Sequence, residues 1–231
     1  YARGLPDWLA ELRAEPELSL EQRSVTDPIG PEVGDFDYVV HAASIASPTY
    51  YKRHPIETMD ANVNGLRNLL EYARRQADRS RPLAGFLFFS SSEIYGDPPA
   101  DAIPTPESYR GNVSCTGPRA CYDESKRFGE TLCVNFAQVH GVPVTMARPF
   151  NNIGPGLKIS DRRVLPDFAR DVLKGLRGEK TFARPETFAR FVQKSTVPGS
   201  SRALGWDTML PTSSCGTRLS PRAIGHTGFT G

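Results

Sequence analysis

Three short runs of consecutive apolar residues punctuate the chain: Asp37-Tyr-Val-Val-His41, Gly85-Phe-Leu-Phe-Phe89 and residues 142–147. None alternates with polar positions, so each predicts a strand covered on both faces rather than one with a wet side. Helical repeats lie between them. From Pro55 to about Arg79, the residues Met59, Val63, Leu66, Leu69, Leu70 and Ala73 fall on one stripe. A second helix is predicted over 121–140, with Phe128, Leu132, Phe136 and Val139 continuing it to the stop at Gly141. Upstream, Leu5, Trp8, Leu9 and Leu12 predict a helix over 5–14 that ends before Pro16, and residues 18–25 predict a short strand. Strands alternating with helices define an α/β fold, a doubly wound parallel sheet. Beyond about Gly178 the pattern dissolves, and residues 195–231 are dense in Ser, Gly, Thr and Pro. The expected organisation is an α/β domain over 1–178 followed by an irregular C-terminal tail over 179–231.

Composition narrows the partners. A chain of 231 residues can bury a sizeable core. With 28 basic and 26 acidic side chains the formal charge is +2, which gives no reason to expect nucleic acid or an anionic membrane. The apolar runs are too short to span a bilayer, and the opening residues YARGLPDW do not form a basic-then-apolar leader. Cys115, Cys121, Cys133 and Cys215 show neither C-x-x-C spacing nor a histidine ligand pattern. They are expected to be reduced thiols in a cytoplasmic protein, with no metal site.

Candidate chemistry collects at the strand ends, where open parallel sheets bind their ligands. His41-Ala-Ala-Ser44 follows the first run, Ser90-Ser-Ser-Glu93 the second, and Arg148-Pro-Phe-Asn-Asn152 the third. The helix between the last two carries Tyr122 and, one turn on, Lys126 on the same face. A free phenol has a pKa near 10 and is a poor base at neutral pH. A cation held beside it favours the phenolate, and a hydroxyl such as Ser91 could share the proton of a substrate alcohol. Tyr-x-x-x-Lys is also a common surface pair, Ser90-Ser-Ser92 could be a turn of small residues, Glu93 a solvated carboxylate and Asn151 a loop residue bonding its own backbone. The convergence of all of them on one sheet edge favours chemistry.

On the motifs SSSEIYGDP, YRGNVSCTGPRACYDESKRFGETLC and ARPFNNIGPG, residues 20–176 resemble the NAD-dependent epimerase/dehydratase family, extended short-chain dehydrogenases with a Rossmann-like fold. Within it these motifs most resemble UDP-glucuronate decarboxylases. That resemblance implies NAD as cofactor and a nucleotide sugar as substrate. It makes Tyr122 the general base, Lys126 the holder of the cofactor ribose, Ser91 the hydroxyl partner and Glu93 a group acting at the sugar. Ser92 and Asn151 would touch the sugar nucleotide, and Val25, Ala42 and Ala43 would line the cofactor. It further implies a hydride lent to NAD from C4 of the glucuronate, loss of CO2 from the resulting β-keto acid, and return of the hydride. Ser24 stands where the family has an acidic residue. The runners-up are 4,6-dehydration, disfavoured because Ser92 replaces the expected Asp, and 4-epimerisation. A reading from another class is a non-catalytic nucleotide- or partner-binding module. Related enzymes are often dimers through the helices matching 55–79 and 121–140, so a homodimer is possible.

The family's glycine-rich G-x-x-G-x-x-G turn is expected to be absent from the chain, the nearest candidates, Gly154-Pro-Gly156 and Gly175-Leu-Arg-Gly178, having the wrong spacing and context. Residue 1 is therefore expected to lie after the family's second strand, and the chain to be N-terminally truncated, without the pyrophosphate cradle and with weak NAD binding. The family's C-terminal substrate lobe is also not recognised. Instead, residues 200–207 and 220–231 resemble the late part of a penicillin-binding-protein-like serine hydrolase, with His226-Thr227-Gly228 where such enzymes have Lys-Thr-Gly. No Ser-x-x-Lys accompanies it, so hydrolase activity is not expected.

Overall fold

The computed structural model describes residues 7–152 and 164–179, and beyond them 184, 186–187, 190, 193, 196, 207–208 and 224–225. The chain divides into two units, Tyr1–Pro98 with Arg110–Asn151, and Pro99–Tyr109 with Asn152–Gly231.

The first unit begins with the one-turn helix α1 (Asp7–Glu11) and a 3-10 turn over Leu12–Ala14. Pro16 cannot continue it. Residues 18–25 then run without strand pairing, which corrects the expected strand. A strand needs a ladder partner, and among the described residues this segment pairs with none. From Val25 to Phe36, helical side chains take up backbone bonds. From α4 (Leu66–Asp78), Asn68 Nδ2 donates to the carbonyls of Val25, Thr26 and Asp27 at 3.3, 2.9 and 3.3 Å. Arg75 reaches the Ile29 carbonyl at 2.9 Å, and the Tyr72 hydroxyl that of Gly34 at 2.7 Å. Gln76 donates to the Phe36 carbonyl at 2.6 Å and accepts its N–H at 3.1 Å. Backbone groups that lack a ladder are thus satisfied by side chains.

The sheet has the order β1 (Tyr38–His41), β2 (Gly85–Phe89), β3 (Val144–Ala147), all parallel, with Val39 opposite Phe86 and Phe86 opposite Val144. After the short α2 (Pro48–Tyr51), the β1-to-β2 crossover is a continuous helical run: α3 (Pro55–Met59), a π turn over Asp60–Gly65, then α4. The β2-to-β3 crossover is α5 (Ala120–His140), which stops at Gly141 in the left-handed region. Right-handed crossovers between sequential neighbours place both helices on one face. Leu66 and Leu70 from α4, Phe86 and Phe88 from β2, and Cys133 and Phe136 from α5 form the core there.

The expectation that the strands are covered on both faces therefore holds for one face only among the described residues. On the other, Tyr38 is 71% and Val40 57% exposed. The apolar residues that mark α5 in the sequence do not share one buried side. Phe128 and Val139 point outward, and Gly129 and Cys133 join Phe136 on the buried side. Gly129 is what lets α5 close on the sheet, since a Cβ there would lie 2.7 Å from the Phe88 ring.

In the second unit the structure describes a 3-10 turn over Ala100–Ala102, α6 (Val164–Leu176), and the two-residue strands β4 (Asp207–Thr208) and β5 (Ile224–Gly225), which pair antiparallel. Most of the expected tail, including His226-Thr227-Gly228, lies outside the described residues.

Candidate active site

The carboxyl edge of the sheet is extended by two loops that continue the pairing of β2 and β3. Ser90 N–H donates to the Ala147 carbonyl at 2.8 Å and Ser92 N–H to that of Pro149 at 3.1 Å. This holds the serine run beside Arg148-Pro-Phe. Ser91 is buried and caps the 3-10 turn Ser92–Tyr95, its Oγ accepting the Glu93 N–H at 3.2 Å. Behind the turn, Arg148 forks onto Glu130 of α5 at 2.8 and 2.7 Å and donates to the Tyr95 hydroxyl at 3.0 Å. Burial works against ionising Glu130, but hydrogen bonds from Arg148 and Ser90, with the charges of Arg148 and Arg127, together outweigh it and hold the carboxyl below its ordinary range.

Tyr122 and Lys126 sit in the first turns of α5, which packs against the 92–95 turn. Both are buried. Lys126 Nζ donates to the Phe89 carbonyl at 2.7 Å, lies 5.0 Å from the centre of the Phe88 ring and 5.8 Å from that of Tyr122. Burial pushes its pKa down to about 8. The Tyr122 ring stacks on Tyr51 at 5.2 Å and 15°. Beneath them His41, at the end of β1, packs on Phe88 with 5.7 Å between ring centres, and neither ring nitrogen meets a partner at hydrogen-bonding geometry. Burial, and then the charge of Lys126, lower its pKa to about 4, so the ring is neutral at neutral pH.

The structure thus brings Ser91, Tyr122 and Lys126 to one edge, with Glu93 on the adjoining turn, where it pairs with Arg119. Ala42 and Ala43 lie exposed just past β1, followed by Ser44, whose hydroxyl is buried without a partner. Asn151 is exposed beyond β3 and Ser92 is half-buried. Val25 packs against the π turn, where a Cβ on Gly65 would come within 2.6 Å of it.

Several polar residues of this edge were not anticipated. Arg119 and Asp123 stand inside the run GPRACYDESK but carry no motif of their own. Tyr51 reads as an ordinary helix aromatic, and buried Asn62, which donates to Ser125 at 2.8 Å, depends on a π turn that periodicity does not reveal. A glycine run was missed as well. Gly225-His-Thr-Gly-Phe-Thr-Gly231, matched earlier only through His226-Thr227-Gly228, has the G-x-x-G-x-x-G spacing and begins at the end of β5. All of it except Gly225 lies outside the described residues.

A parallel sheet whose carboxyl edge gathers a Tyr-x-x-x-Lys helix and a serine-rich strand end defines the Rossmann-like class of α/β proteins. Residues 11–190 match the NAD dependent epimerase/dehydratase family, and the chain belongs to it. It is 40% identical over 191 residues to UDP-glucuronic acid decarboxylase 5 of Arabidopsis thaliana, an alignment covering 82% of this chain and 52% of that protein. The chain thus spans about half the length of this relative. Among solved structures, RMD from Pseudomonas aeruginosa complexed with NADPH superposes with a TM-score of 0.58 at 29% identity, covering 75% of this chain and 59% of the other. UDP-glucose 4-epimerase with UDP-glucose from Thermotoga maritima gives 0.54 at 25% identity, over 65% and 45% of the two chains.

Proposed function

We propose that this chain carries the proton-handling part of a nucleotide-sugar enzyme, most readily one that decarboxylates UDP-glucuronate. The supporting observation is the buried Lys126 ammonium, anchored to the Phe89 carbonyl and 5.8 Å from the Tyr122 ring. A cation there stabilises the phenolate that must take a proton from a sugar hydroxyl. Ser91, buried at the strand end, shares that proton, and Glu93 faces the sugar. Ser92 and Asn151 contact the sugar nucleotide. The identity to UDP-glucuronic acid decarboxylases favours decarboxylation over 4,6-dehydration or 4-epimerisation.

The residues present fit NAD at its nicotinamide end. Lys126 and Tyr122 offer a cation and a phenol for a ribose, Ala42 and Ala43 leave room past β1, and the unpartnered Ser44 hydroxyl awaits a polar group. Val25 would border the adenosine side. When bound, NAD supplies a reversible hydride acceptor. Incubation with UDP-glucuronate and NAD+ tests the reading. CO2 and UDP-xylose support it, a dehydrated or epimerised sugar nucleotide shifts it to a runner-up, and absence of any product favours the non-catalytic binding module.

No helix among the described residues is long and apolar enough to cross a membrane. The three described cysteines are free thiols, which supports a cytoplasmic location. Phe128 and Val139, 50% and 70% exposed on one face of α5, support a homodimer through that helix, which sedimentation would register.

A further inference from the structure

At the start of α5 a guanidinium and two carboxylates are left with one donor and one acceptor unused. Arg119 is the residue that opens this 21-residue helix, and its side chain makes no capping bond. A cation is disfavoured at the positive end of a helix dipole, so its position calls for nearby anions. It has two. Glu93, on the turn after β2, pairs with Nη2. Asp123, in the first turn of α5, lies 3.6 Å from the same nitrogen, too far for a hydrogen bond. The Asp123 side chain is only 10% exposed, and its Oδ1 has no hydrogen-bond partner. Arg119 Nε is likewise buried and without one. An unmet buried donor and an unmet buried acceptor on adjacent turns are each costly, and each would satisfy the other.

We infer that Arg119 is a positioning residue with two seats: in one it holds the Glu93 carboxylate beside the Ser91–Tyr122 edge, and in the other it forks onto Asp123 through Nε and releases Glu93. The first seat is the one in the structure. The second completes the hydrogen bonding of Asp123 and Arg119 at the expense of the more exposed Glu93, which water can solvate. Glu93 therefore changes between a tethered and a free carboxylate without any movement of the backbone. The two seats follow from this geometry alone, but their meaning for turnover rests on the reading of Glu93 as the sugar-facing group.

The Nε–Hε signal of Arg119 reports which seat is taken, because Hε is bonded only in the second. In the 15N-labelled full chain, with the signal assigned by its loss in Arg119→Lys, Glu93→Ala is expected to move it downfield. The same change slows its exchange with water roughly tenfold, the scale of one hydrogen bond to a charged group. Glu93→Gln should give the same direction. Asp123→Asn, which keeps the first seat, should leave the signal as in the unsubstituted protein. Unchanged Hε exchange in both Glu93 variants, or equal slowing in Asp123→Asn, overturns the inference. Lys126→Met serves as the separate control on the functional reading. If it leaves the titration of the Tyr122 phenol unmoved, the assignment of the base falls while the two seats stand or fall on the Hε signal.

Discussion

Lys126 is the residue on which the proposed chemistry turns, because its ammonium lies 5.8 Å from the centre of the Tyr122 ring and is buried, donating to the Phe89 carbonyl. Replacing it by Met removes the cation that favours the phenolate, so the Tyr122 phenol should titrate at higher pH. Ultraviolet difference spectroscopy against Tyr122→Phe isolates that phenol, and an unmoved titration would count against the base assignment. His41 gives a second residue-scale prediction. Its folded pKa of about 4 lies below the ordinary 6.5, so the unfolded chain binds the proton more readily. The stability contributed is complete above pH 6.5 and is lost as pH falls toward 4. The loss reaches about 3 kcal/mol at pH 4. Urea titrations of His41→Phe across that window should show a shallower acid decline than the unsubstituted protein. At this scale the sequence was partly legible. Tyr122, Lys126 and Ser91 announce themselves by spacing and by standing after an apolar run. The neutrality of His41 does not, because it comes from what is packed around the ring.

The elements differ in how openly the chain declares them. β1, β2, β3 and both crossover helices follow from uninterrupted apolar runs and a 3.6-residue stripe, and all appear within a residue or two of their expected bounds. The strand expected over 18–25 does not form, since a local pattern cannot say whether a neighbour is present. The buried side of α5 is likewise not legible in the sequence. Phe128 outranks Gly129 in hydrophobicity, but the helix approaches the sheet through the glycine because it leaves space for the Phe88 ring. Gly129→Ala should therefore destabilise by about 1–2 kcal/mol, overpacking against Phe88 outweighing the gain in helix propensity. Thermal melts against Gly141→Ala, a position with open space but a left-handed backbone, would separate overpacking from backbone strain. The fork between Arg148 and Glu130 ties β3, α5 and the 92–95 turn together. Arg148→Met leaves Glu130, only 12% exposed, without its cation. A loss of about 3 kcal/mol in urea denaturation is expected, because an uncompensated carboxylate is left buried and the turn that carries Glu93 loses its support.

At the scale of the whole chain, residues 11–190 carry the family match while the sheet has three parallel strands among the described residues. Family membership was legible from motifs clustered at the strand ends. The one-sided cover of the sheet was not, because apolar runs look alike whether one or both of their faces are packed. Among the described residues β1 pairs with β2 along one side only, and Tyr38 and Val40 stand on the exposed face. A border of unpaired amides flanked by apolar side chains is a template for other chains. In concentrated solution it should act as an adhesive seam, so colloidal behaviour, rather than unfolding, would set how long the protein survives handling. Val40→Lys, which plants a charge on that seam, should delay the onset of light scattering on warming. Equal onset in the two proteins would mean that the seam is already sealed.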